Sequence, residues 1–163
     1  MTQLAIYPGS FDPITLGHLS VLSRAATVFD QVELIVVHNP EKNSTFTTAE
    51  RMELARTALR EASAPRNIGV SSLESGLLAS RALEMGANAI LKGFRTSADV
   101  EYELPMAQVN RDLSGIETVF FAAEPGFGFV SSSLVKQVSE LGGDVTPYVT
   151  ETVAKALAER FSK

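Results

Sequence analysis

Residues 3–18 read Gln3-Leu4-Ala5-Ile6-Tyr7-Pro8-Gly9-Ser10-Phe11-Asp12-Pro13-Ile14-Thr15-Leu16-Gly17-His18: an apolar run, a loop, and the start of a helical pattern. The run Gln3–Tyr7 is too short for a stable helix and suits a strand buried on both faces. The loop after it holds two prolines and two glycines, which makes it stiff and lets a ligand approach the backbone closely. Leu19, Leu22, Ala26 and Phe29 then recur at helical spacing. A strand that feeds a helix through such a loop is the opening unit of an α/β sheet.

The same unit recurs outward from this stretch. Apolar runs at Glu33–His38, Ile68–Ser72, Ala87–Leu91 and Thr118–Ala122 read as four further strands. Helical spacing separates them, through Met52, Ala55 and Leu59, then Leu78, Ala82 and Met85, then Met106, Val109 and Leu113; a last amphipathic stretch covers Thr150–Phe161. Thr47-Thr48-Ala49-Glu50 has the form of a capping box, and Gly86 and Gly142 fall where helix C-terminal caps belong. Pro105 interrupts the Ser97–Leu113 pattern, where its missing N–H and its ring predict a kink or a displaced helix start. With no repeat, low-complexity tract or long linker, the expectation is one domain over residues 1–163. That domain is a doubly wound five-stranded parallel sheet with helices on both faces and ligands at the carboxyl ends of its strands.

Composition narrows the function. The chain has 163 residues, 45% hydrophobic and 20% charged, the balance of a globular domain with one sizeable core. It has no cysteine, which removes disulfides and thiolate-held metals and suits a reducing compartment. The start lacks a basic segment followed by a long apolar one, and no run approaches the ~18 residues of a membrane span, so a soluble, cytoplasmic protein is expected. A net charge of −5 argues against broad nucleic-acid binding, and any phosphate must be held by a local site.

The loop after the first strand offers such a site. His18 falls in the first turn of the first helix, where unpaired N–H groups and the helix dipole attract an anion and an imidazole adds a donor. Alone, a histidine there also reads as a surface or capping residue, as Ser131-Ser132-Ser133 also reads as an ordinary helix cap. Lys42 would by default be a solvated lysine in a polar loop, and Arg95 could pair with Asp99 four residues on. His38 shows no partner pattern and reads as structural. No HExxH, nucleophile elbow, Walker lysine loop or acidic metal cluster is present, so hydrolytic and P-loop chemistry lack support.

Thr15-Leu16-Gly17-His18 resembles the (H/T)xGH signature of the nucleotidylyltransferase superfamily, with Pro8-Gly9-Ser10-Phe11-Asp12-Pro13 as its lead-in. Lys92-Gly93-Phe94-Arg95, Asp99-Val100-Glu101-Tyr102-Glu103 and Phe129-Val130-Ser131-Ser132-Ser133-Leu134-Val135-Lys136 are similar in order and spacing to motifs of the bacterial phosphopantetheine adenylyltransferases. The resemblance runs from about Leu4 to Phe161. It implies adenylyl transfer from Mg²⁺-ATP to 4′-phosphopantetheine, giving dephospho-coenzyme A and pyrophosphate, in a homohexamer of two trimers, with coenzyme A as a feedback ligand.

Carried over by position, the resemblance puts Ser10, Phe11 and His18 around the phosphates, with His18 as transition-state stabiliser and Ser10 also near the acceptor. It implies Lys42 and Lys92 as acceptor-side cations, although an arginine is common where Lys92 stands. Gly93, Phe94 and Arg95 would line the nucleotide, Glu103 its ribose or adenine side, and Phe127, Gly128, Phe129, Val130, Ser131, Ser132 and Ser133 would form its cover. The pantetheine arm would run along Leu77, Leu78, Met106 and Asn110. No protein metal site is implied, because Mg²⁺ travels with ATP and is held mainly by phosphates and water. Transfer to another phosphorylated acceptor, or a non-catalytic nucleotide or coenzyme A sensor, are the competing readings.

Overall fold

Five parallel strands form: β1 (Leu4–Gly9), β2 (Gln31–Val37), β3 (Ile68–Leu73), β4 (Ala89–Phe94) and β5 (Glu117–Ala122), in the order β3-β2-β1-β4-β5 across one sheet. The computed structural model describes residues 1–41 and 43–162. The helices are α1 (Leu16–Ala25), α2 (Thr48–Glu61), α3 (Leu78–Met85), α4 (Ser97–Ser114), α5 (Ser132–Glu140) and α6 (Glu151–Phe161). This is the doubly wound parallel sheet expected from the alternation of apolar runs and amphipathic segments.

Side chains alternate across the strands and divide the core into two layers. Ala5, Tyr7, Leu34, Val36, Ala89 and Leu91 pack with residues of α1, α2, α5 and α6. Ile6, Ile35 and Ile90 point the other way and meet Ala82 of α3, with Ala87 and Ile116 beside them. Both faces are covered, which is why the strands read as nearly continuous apolar runs.

The chain winds outward from β1 to β3 and then crosses back to β4 on the other side of β1. The ladder between β1 and β2 continues through Pro8–Ile35 and Gly9–Val36, whereas that between β1 and β4 pairs only Ala5–Ala89 and Ile6–Ile90. Pro8 has no N–H to donate. The sheet therefore parts between β1 and β4 at their carboxyl ends, the crevice where ligands bind in folds of this kind.

Two expectations near the site need correction. The fourth strand runs Ala89–Phe94 rather than ending at Leu91, so Lys92, Gly93 and Phe94 lie in the strand and pair with Phe120, Phe121 and Ala122. Pro105 does not displace the helix start: α4 is capped by Thr96 and Asp99 and is assigned without a break from Ser97 to Ser114. Glu101 and Pro105 are both exposed, so the carbonyl left without its i+4 donor can turn to water. Ser131 caps a full helix over residues 132–140, in line with the helix-cap reading of Ser131-Ser132-Ser133. The capping box Thr47–Glu50 and the left-handed Gly86 cap are present as expected.

Candidate active site

The loop from β1 to α1 is held from several sides. Phe11 takes a positive φ of 45°, and its ring sits 3.0 Å from where a side chain on Gly9 would begin, so a larger residue at position 9 would collide with it. That ring meets Tyr7 and His18 edge-on, with centroids 5.3 and 5.0 Å away. Arg51 of α2, only 1% exposed, donates to the Ser10 carbonyl at 2.7 Å and the Val37 carbonyl at 3.2 Å, joining the loop to the end of β2. The buried Asp12 carboxylate accepts the N–H groups of Thr45 (2.8 Å) and Phe46 (2.9 Å) and the Lys136 ammonium of α5 (2.9 Å). Ser132 donates to the Pro13 carbonyl at 2.8 Å, so the start of α5 is fastened beside the start of α1.

His18 stands at the third position of α1 in a capping box whose cap is Thr15. The Thr15 N–H donates to His18 Nδ1 at 3.0 Å, and the His18 N–H reaches Thr15 Oγ1 at 3.4 Å. With Nδ1 accepting, the neutral ring carries its proton on Nε2. Burial, assisted by the nearby Arg95 charge, pushes its pKa down to about 4. The site thus presents a neutral N–H donor at a helix N-terminus, ready for an anion and free of the repulsion that a second fixed charge would exert on Arg95.

A cavity of about 70 Å³ opens beside His18, lined by Tyr7, Gly17, His18, Val21, Gly93, Phe94, Arg95, Phe127 and Val130 among others. It gathers residues from both sides of the β1–β4 crevice. Arg95 is shared with Asp99, whose carboxylate lies 3.3 Å from Nε and from Nη2. Burial alone would raise the Asp99 pKa, but hydrogen bonds from the Arg95 and Thr96 N–H groups and the Arg95 charge hold it below the usual range. Phe127 Cβ lies 3.5 Å from where a side chain on Gly17 would begin, so Phe127 walls the cavity at the start of α1. A larger cavity of about 380 Å³ lies between α2 and α6, but Glu50, Glu53 and Glu159 outnumber Arg160 in its lining, and Arg160 is paired with Glu50, which disfavours a polyphosphate.

Lys92 and Glu103 lie outside this cavity. Successive residues of β4 face opposite sides of the sheet, so Lys92 points away from the Gly93 side and toward α4, where its ammonium meets Glu103 at 3.0 Å. Leu78 opens α3 and packs against the Ile6–Ile90 layer, and Leu77 beside it is exposed. On α4, Met106 is exposed, while Asn110 is buried and its carboxamide makes no hydrogen bond among the described residues. In the cover segment, Pro125–Phe127 form a short 3-10 turn and Phe129 is exposed against Tyr148. Ser131 spends its hydroxyl on capping α5, Ser132 on Pro13, and Ser133 remains exposed. Lys42 lies outside the described residues.

The supports of the loop were not singled out in the sequence. Arg51 sits in an amphipathic pattern where an arginine ordinarily faces water, and the Asp12–Lys136 pair spans 124 positions. The Thr47-Thr48-Ala49-Glu50 capping box marks the start of α2 but carries no sign that this region turns back on the first loop.

Residues 6–138 match the cytidylyltransferase-like family model. A phosphopantetheine adenylyltransferase of Clavibacter michiganensis subsp. michiganensis is 49% identical over 98% of both chains. The chain belongs to the phosphopantetheine adenylyltransferase family. Another adenylyltransferase of this name, from Thermotoga neapolitana, is 44% identical over 99% of this chain and 98% of its own. Among solved structures, the Plasmodium falciparum nicotinic acid mononucleotide adenylyltransferase complexed with NaAD superimposes with a TM-score of 0.74, covering 98% of this chain and 96% of that one. At 15% identity it supports the shared fold alone.

Proposed function

We propose that this chain transfers the adenylyl group of ATP to the phosphate of 4′-phosphopantetheine, forming dephospho-coenzyme A and releasing pyrophosphate. The near-full-length match to relatives of that name carries this reading, and it fits a neutral N–H donor at the start of α1, facing the β1–β4 crevice. An oxygen of the acceptor phosphate attacks the α-phosphorus in line, and the bond from that phosphorus to the β-phosphate bridging oxygen breaks. The attacking group is already an anion, so no protein base is required. The protein aligns two polyanions and offsets the charge that shifts between them.

In this proposal His18 Nε2 donates to the α-phosphate, with Ser10 and Phe11 shaping the loop around it. Gly93, Phe94, Arg95 and Glu103 hold the nucleotide, and 127–133 close over it. Lys42 and Lys92 take the acceptor phosphate. Leu78 and the unpaired Asn110 carboxamide take the pantetheine arm. Among the described residues no three His, Cys, Asp or Glu side chains gather into a metal site, and Asp12 is already occupied by three donors. This fits Mg²⁺ held by phosphates and water, where it supplies neutralisation of polyphosphate charge. Coenzyme A carries both halves of the product and so fits as a feedback ligand at the same site.

Residues 1–163 act here as one domain, consistent with a single sheet and end-to-end likeness to relatives. A homohexamer is supported by Met106, Val109 and Leu113, exposed at helical spacing on α4 beside the open edge of β5. No described helix is long and apolar enough to cross a membrane, in keeping with work in the cytoplasm. Pyrophosphate release from ATP, measured with 4′-phosphopantetheine, unphosphorylated pantetheine and nicotinate mononucleotide, tests the reaction. Release with the first acceptor alone is expected; release with nicotinate mononucleotide in its place would replace the acceptor.

A further inference from the structure

Tyr7 is 5% exposed, and its hydroxyl makes no hydrogen bond among the described residues. The oxygen lies between Gly93 and Val21: a side chain on Gly93 would begin 3.2 Å from it and 3.3 Å from Val21 Cγ2. Tyr7, Gly93 and Val21 all line the His18 cavity. The little of Tyr7 that stays accessible faces this cavity, where a ligand can meet its unpaired hydroxyl. Its acidity is suppressed by burial, which outweighs the opposing Arg24 charge, so it remains a neutral group able both to donate and to accept.

The cavity divides its ligand by chemistry. The α1 N-terminus and His18 suit phosphate, whereas Val21, Phe127 and Val130 make the wall around Tyr7 largely apolar. A flat heteroaromatic base with donors and acceptors on its edge matches that second part. Resting on the nucleotide reading above, we propose that the Tyr7 hydroxyl hydrogen-bonds the edge of the adenine base. Tyr7 thereby becomes a specificity-determining binding residue of the nucleotide site. Gly93 contributes by lacking a side chain, which keeps the hydroxyl uncovered.

Tyr7→Phe removes one oxygen and preserves the ring that packs on Phe11. Calorimetric titration should show ATP binding weakened about 3- to 10-fold, with inorganic tripolyphosphate binding unchanged. The ligand-free variant should melt close to the wild-type temperature, since the hydroxyl it loses makes no hydrogen bond within the protein. In the wild type, the Tyr7 Cζ resonance should shift on adding ATP and stay still on adding tripolyphosphate. Equal ATP affinity in both proteins, equal losses for ATP and tripolyphosphate, or a lower melting temperature of the ligand-free variant would each overturn the Tyr7 assignment. Wild type that binds no ATP would overturn the nucleotide reading itself.

Discussion

The N–H of Thr15 donates to Nδ1 of His18 at 3.0 Å, and this one bond decides which nitrogen of the ring faces the crevice as a donor. The helix cap and the chemical group are the same residue. A histidine elsewhere in the first turn would have both tautomers open to it; here the backbone selects the Nε2–H form.

The tautomer has a pH signature. With its pKa lowered to about 4 by burial and then by Arg95, His18 should stay neutral through pH 5 in ¹⁵N NMR, with the proton on Nε2. In the unfolded chain it titrates near 6.5. The folded state therefore binds fewer protons between these values, so this contribution to stability is complete above about pH 6.5 and is lost as pH falls toward 4. Bound ATP should raise the His18 pKa, because phosphate favours the charged ring. A free-protein pKa near 6.5 would contradict the described burial.

Breaking the Asp12–Lys136 pair should loosen the loop. Asp12→Ala leaves two buried N–H groups and an ammonium without their acceptor. It should cost about 2–3 kcal/mol and lower the melting temperature by about 5–10 °C. Thermal unfolding of Asp12→Ala beside wild type measures this, and an unchanged midpoint would show that the pair is dispensable.

Lys92 and Glu103 form a 3.0 Å ion pair on the α4 side of the sheet, and in the proposed site Lys92 takes the acceptor phosphate while Glu103 holds the nucleotide. Lys92→Ala should raise KM for phosphopantetheine about 10- to 100-fold and leave ATP affinity less affected, because it removes a cation and strands a carboxylate beside the incoming phosphate. Adding Glu103→Gln to Lys92→Ala should recover part of that loss in a double-mutant cycle. Strict additivity would mean that the 3.0 Å pair has no bearing on acceptor binding.

The cavity beside His18, about 70 Å³, is smaller than most clefts that hold small ligands, so the proposed ATP site calls for the 127–133 cover to move. Gly126 and Gly128 give the Phe127–Ser133 segment backbone freedom, although neither uses a positive φ in the closed arrangement. Hydrogen exchange over residues 125–131 should be faster in the free protein and slow under saturating ATP. Identical exchange in both conditions would mean that another element opens the site.

Much of this was legible in the sequence for physical reasons. Strands buried on both faces leave apolar runs, and capping residues such as Thr47, Glu50 and Gly86 must match local backbone geometry. The reading failed where a tertiary partner overrides a local preference. A lysine breaks an apolar run, so Lys92 reads as the end of the fourth strand, yet Glu103 of α4 pairs with it inside that strand. Arg51 lies in an amphipathic helix where an arginine ordinarily faces water, and the carbonyls of Ser10 and Val37 draw it inside. Ser131-Ser132-Ser133 reads both as a helix cap and as a nucleotide cover, and the Ser131 hydroxyl does cap α5 while the Ser132 hydroxyl goes to Pro13. No single-sequence pattern carries those pairings.

Steady-state pyrophosphate release by His18→Ala, at saturating 4′-phosphopantetheine and varied ATP, tests the role of the neutral Nε2–H donor most directly. A donor that acts on the charge of the transition state should, when removed, lower kcat by about 10²–10³ and change ATP affinity far less. A wild-type kcat with only a raised KM for ATP would contradict that role and leave His18 a binding residue.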